Sequence, residues 1–71
     1  MDKFSQCSKL LRYMEEFGPI TTWQAIVRLR IARPAARVAD LKKRGYDICT
    51  EIIYEDDGTH YAKYSLRGYP A

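Results

Sequence analysis

Between Arg44 and Tyr46 the spacing of apolar residues changes once and does not change back, which limits the possible folds more than any other feature of the chain. Upstream, apolar residues recur every three or four positions, as on a helix buried along one stripe. Downstream they alternate, as on a strand with one face covered. The pivot is Gly45, a residue type suited to the position that closes a helix. The chain is therefore read as an α+β domain in which helices come first and strands last.

The helical half divides at its breakers. In "SQCSKLLRYMEEFG", Cys7, Leu10, Leu11 and Met14 fall at i, i+3, i+4 and i+7, with Phe17 further along. This predicts a first helix over about 5–17, with Ser5 as its N-cap and Gly18-Pro19 as its stop. In "GPITTWQAIVRLRIA", Thr21 and Gln24 have the capping-box spacing. A second helix is expected over about 22–29, burying Trp23, Ile26 and Val27, with Leu29 near its end. Ile20, extended and apolar ahead of the cap, is expected to pair briefly with a later strand. Proline costs about 3 kcal/mol inside a helix but is tolerated in the first turn, so Pro34 reads as the opening of a third helix, over about 33–44. On a helical wheel Pro34, Val38 and Leu41 share one face, while Arg33, Arg37, Asp40 and Arg44 gather within about 60° of one another on another side.

In the second half, "YDICTEIIYE" alternates and "HYAKYSL" returns. A hairpin is expected over about 46–66, turning at "DDGT", where Asp57-Gly58 is the strongest signal. The closing "RGYPA" is expected to fray.

A chain of 71 residues makes one domain, and one this small buries only about 60% of its unfolded surface. With 46% apolar residues it can still supply a core. Cys7 and Cys49 belong to no disulfide framework, so both are read as reduced thiols, Cys7 as a small core residue. No apolar run approaches the roughly 20 residues of a membrane helix, so no membrane partner is expected. An enzyme is not expected either. The single histidine, His60, lies beside the hairpin turn, and no nucleophile-base arrangement, phosphate-cradling glycine loop or carboxylate pair can be assembled. Cys7, Cys49 and His60 lack metal-ligand spacing, so neither metal nor cofactor is expected.

Three helices followed by a hairpin, with the second and third helices joined by a short turn, is the element order of a winged helix-turn-helix. Residues 18–48, "GPITTWQAIVRLRIARPAARVADLKKRGYDI", resemble a family of small winged helix-turn-helix proteins common in bacteriophages and prophages. The third helix of that family ends in a pattern like "ARIxDLRKRGYxI", and this chain has "ARVADLKKRGYDI" from Ala36 to Ile48. It departs from the family at Pro34, where leucine is expected. The resemblance covers nearly half the chain closely and implies a phage or prophage regulator or accessory factor that binds double-stranded DNA in the bacterial cytoplasm.

Charge is unevenly distributed. Residues 28–44 carry seven basic side chains against Asp40 alone, and residues 47–57 carry five carboxylates and no cation. A helix fits the major groove, and a basic stripe from Arg33 to Arg44 covers about 16 Å. Arg33 and Arg37 are the expected base-edge contacts, because arginine can grip guanine O6 and N7 with two bonds. Ala32 and Ala36 are small enough to permit close approach and to meet a thymine methyl. Arg28, Arg30, Lys43 and Arg44 suit phosphates, and Thr21 and Thr22 suit the backbone at a helix N-terminus.

Simpler readings exist for the same residues. Arg37 and Asp40 are three apart and can pair with each other, and Lys42 to Arg44 complement a helix dipole without any ligand. The acidic tip at Glu55, Asp56 and Asp57 would be repelled by phosphate. It either stands away from DNA or meets a basic surface, on a partner protein or on a second copy, and a head-to-tail contact of that kind would form arrays. The alternative function is a protein-interaction module that docks through its basic helix and acidic hairpin.

Overall fold

The computed structural model describes residues 3–71. Its elements run α1 (Lys3–Phe17), β1 (Ile20–Thr21), α2 (Thr22–Leu29), α3 (Pro34–Lys43), β2 (Asp47–Tyr54) and β3 (His60–Gly68). The strands form one antiparallel sheet in the order β1-β3-β2, so the pairing expected of Ile20 is present, opposite Tyr64.

α1 begins at Lys3, so Ser5 lies inside its first turn and not at a cap as expected. Nothing in the sequence around Ser5 breaks a helix, and the helix extends past the first acceptable capping residue. Its other end behaves as expected, with Gly18 at φ +92° donating its N–H to the Met14 carbonyl at 3.1 Å. α2 starts on a complete capping box. The Thr21 hydroxyl accepts from the Gln24 amide at 3.1 Å, and the Gln24 side chain accepts from the Thr21 amide at 3.0 Å. At its far end Arg30 takes the left-handed conformation, φ 56° and ψ 38°. That turn reverses the chain and drops Ile31 into the core, with the Ile31 amide bonded to the Ala25 carbonyl at 3.2 Å.

α3 opens on Pro34 and closes on a Schellman motif. Gly45, at φ +102°, donates to the Lys42 carbonyl, and the Tyr46 amide donates to the Leu41 carbonyl. The core collects Cys7, Leu10 and Met14 from α1, Ala25 from α2, Val38 and Leu41 from α3, and Ile20, Ile48 and Tyr64 from the sheet, with Ile31 between the helices.

Three expectations about burial fail. Trp23 and Val27 are exposed, at 63% and 72%, and Ile26 is only half-buried. α2 is seated through the small Ala25, which is fully buried, because a short helix wedged between α1 and the sheet has room for a methyl where an indole would hold the layers apart. Phe17 is 71% exposed, since α1 ends where the core does, and its ring lies 5.0 Å from that of Tyr13. In β2 only Ile48 is buried; the alternation continues to Tyr54, but the outer part of the hairpin extends past the helices that would cover it.

The chain end is not frayed. β3 continues to Gly68, the Tyr69 hydroxyl donates to a Glu15 carboxylate oxygen at 2.6 Å, and the Tyr69 ring meets that of Tyr46 edge-on at 6.0 Å. The bond to Glu15 holds the Tyr69 phenol above its usual pKa.

Candidate nucleic-acid interface

α3 is the element with an open face rich in cations. Pro34, Val38 and Leu41 are buried as the wheel requires, but a second side is also occupied. The Cys7 thiol of α1 donates to the Arg37 carbonyl at 3.8 Å, and the Arg37 guanidinium donates to the Gln6 amide oxygen at 3.4 Å. Arg37 Nε also lies 3.1 Å from Asp40 Oδ2, with both side chains largely covered. The stripe Arg33, Arg37, Asp40 and Arg44 is therefore not the outward face of the helix. α1 takes the middle of that stripe, leaving Arg33 and Arg44 exposed at the two ends.

The outward face consists of Ala35, Ala39, Lys42 and Lys43, all exposed. Exposed Ala32 and Arg33 lead into it, and Ala36 is half-buried at its margin. Arg33 occupies the N-cap position without any side-chain bond to the helix, so its guanidinium is not used in capping. Arg30 is exposed in the preceding turn. The structure thus brings together Arg30, Ala32, Arg33, Lys43 and Arg44 around one helix.

Other expected contacts lie elsewhere or are already engaged. The Thr21 hydroxyl is used in the capping box, and the Thr22 hydroxyl donates to the Ala62 carbonyl at 3.3 Å. Arg28 leaves α2 toward α1, where it donates to the Tyr13 hydroxyl at 3.3 Å. Ala35, Ala39 and Lys42 were not among the expected contacts. They share a heptad-like spacing with the basic C-terminal end of α3, and only the packing of α1 reveals that this side is open.

The hairpin carries three of its five carboxylates at the far end, with Asp47 and Glu51 along β2. The Glu55 amide donates to the Thr59 carbonyl at 2.8 Å, the Gly58 amide donates to the Glu55 carbonyl at 3.1 Å, and Gly58 has φ +92°. This is a three-residue loop closed by a left-handed glycine, not a two-residue turn. Glu55, Asp56 and Asp57 are all exposed. The Thr59 hydroxyl and amide both donate to Asp57, and these bonds hold its carboxyl below the usual value of 3.8. Nearby, partial burial raises the Tyr61 phenol, aided by the neighbouring Glu55.

His60 is exposed, its ring 5.6 Å from that of Tyr54. Among the described residues no group of three or more His, Cys, Asp or Glu side chains could hold a metal ion, and no helix is long and apolar enough to cross a membrane. Cys7 and Cys49 are free thiols, the first buried and the second exposed.

No curated protein and no solved structure matches the chain. Residues 5–68 match the family described as the winged helix-turn-helix domain, a span that runs from the first turn of α1 to the end of β3. With this match and an element order of three helices and a sheet whose hairpin forms the wing, the chain belongs to the winged helix-turn-helix domain family.

Proposed function

We propose that this protein is a non-enzymatic DNA-binding domain that lays α3 in the major groove. The observation that carries the reading is the outward face of α3, where Ala35 and Ala39 leave room for base edges and Lys42 and Lys43 add cations within about 15 Å of helix. In this reading Arg33 reaches a guanine edge, and Ala32, Ala35 and Ala36 meet thymine methyl groups. Arg30, Lys43 and Arg44 contact phosphates, with Arg28 and the start of α2 at Thr21 and Thr22 on the flank. Arg37 must leave Asp40 and Gln6 to reach a base, so Arg37→Ala weakens binding less than Arg33→Ala. The motif from Ala36 to Ile48 supports a setting in a phage or prophage, as a transcriptional regulator or accessory factor in the bacterial cytoplasm.

A second reading, a protein-interaction module, is favoured by the exposed carboxylates of the wing tip, which phosphate would repel. Binding to mixed-sequence duplex across a salt series separates the two. Contact with phosphates gives a log-log slope of about −0.9 for each one neutralised, and a flat response selects the protein-interaction reading.

A further inference from the structure

We propose that the acidic wing tip of one copy docks in the groove between α1 and α2 of a second copy, joining molecules head to tail. The groove is shallow, about 210 Å³, and contains no residue of α3. Lys9, Arg12 and Arg28 surround the rings of Tyr13 and Phe17, with Glu16 as the single carboxylate. Cations thus frame an aromatic floor in which Phe17 is exposed and Tyr13 half-buried. The wing tip has the opposite character. Glu55, Asp56 and Asp57 project on a tight loop, and Tyr54, 74% exposed, stacks beside His60 directly behind them. Carboxylates meet guanidinium and ammonium groups while one aromatic pair meets another, so both the charge and the apolar parts of the two surfaces match.

The occupant is a second copy because the chain itself carries both halves of the contact. Thr59 fixes Asp57 and keeps it ionised, which makes the loop a preformed anionic knob. Two unlike patches give a heterologous contact, which does not stop at a dimer unless it closes into a ring. A loop in a shallow groove buries little surface, so association in solution is weak and salt-sensitive. Copies held side by side on one duplex would gain from a raised effective concentration. Because the groove contains no residue of α3, its occupancy leaves Ala35, Ala39, Lys42 and Lys43 uncovered, and of the cations assigned to DNA it takes only Arg28, at the flank.

Sedimentation of the full chain without DNA tests this. At about 50 mM salt the weight-average mass should rise with concentration above the 8.3 kDa monomer and fall back at about 500 mM. Glu55→Ala with Asp56→Ala, and separately Lys9→Ala with Arg12→Ala, should each stay monomeric while keeping the wild-type thermal midpoint. Mixed in equal amounts, the two variants retain one intact wing and one intact groove between them and should form a pair that grows no further. A wild-type chain that stays monomeric at every salt concentration overturns the proposal. So does a groove variant that associates like wild type, or a mixture of folded variants that stays monomeric.

Discussion

Asp57 organises the wing tip from a single side chain. Its carboxylate accepts two bonds from Thr59, so the ionised form stabilises the loop. A carboxyl depressed in this way contributes above the pKa it would have when unfolded and loses that contribution as pH falls through its lowered value. Carboxyl-detected NMR should place the Asp57 titration below 3.8, with the Thr59 amide shifting in the same range; a midpoint at or above 3.8 would show the bonds to be absent in solution. The same scale separates two apolar residues of opposite fate. Leu10→Ala, at a fully buried position, should cost about 2–5 kcal/mol, whereas Trp23→Ala should cost less than about 1 kcal/mol in urea melts. Periodicity alone placed Trp23 inside, because an indole adds to an apolar stripe whichever way a helix is rotated. The rotation of α2 is set instead by Ala25, whose small size carries little weight in any such pattern.

At the scale of elements, the signals that could be read in the sequence were those written in local backbone chemistry. The Thr21–Gln24 box, the Pro34 opening, Gly18 and Gly45 all act within a few residues of themselves, and each is found in place. The outward face of α3 was not readable, because it depends on where α1 lies, and α1 is far away in sequence. The Arg37 contacts with Gln6 and Cys7 are the trace of that packing. Gly45 shows how tightly the end of α3 is set. Its φ of +102° is unfavourable for any other residue, and an added Cβ would come within 3.1 Å of Pro70. Gly45→Ala should therefore destabilise the fold by about 1–2 kcal/mol, visible as a lower urea midpoint with unchanged slope. Thr21→Ala should cost about 1 kcal/mol through loss of the capping box, measured in the same way.

For the whole molecule, the element order identified the architecture because three short helices and one hairpin leave few ways to share a core of this size. Two distant contacts add to it: β1 on β3, and the tie from Tyr69 to Glu15 that joins the chain end to α1. The result separates the charges in space, cations along α3 and carboxylates at the wing tip, so a polyanion and a basic surface can be met by different parts of the chain. We propose α3 as the part of the molecule that meets DNA. Amide chemical shifts recorded while the protein is titrated with a mixed-sequence duplex test it directly. The largest changes should fall at Arg33, Ala35, Ala39, Lys42 and Lys43, with the groove at Tyr13 and Phe17 little affected. Changes confined to that groove or to the wing tip, with α3 silent, would contradict it.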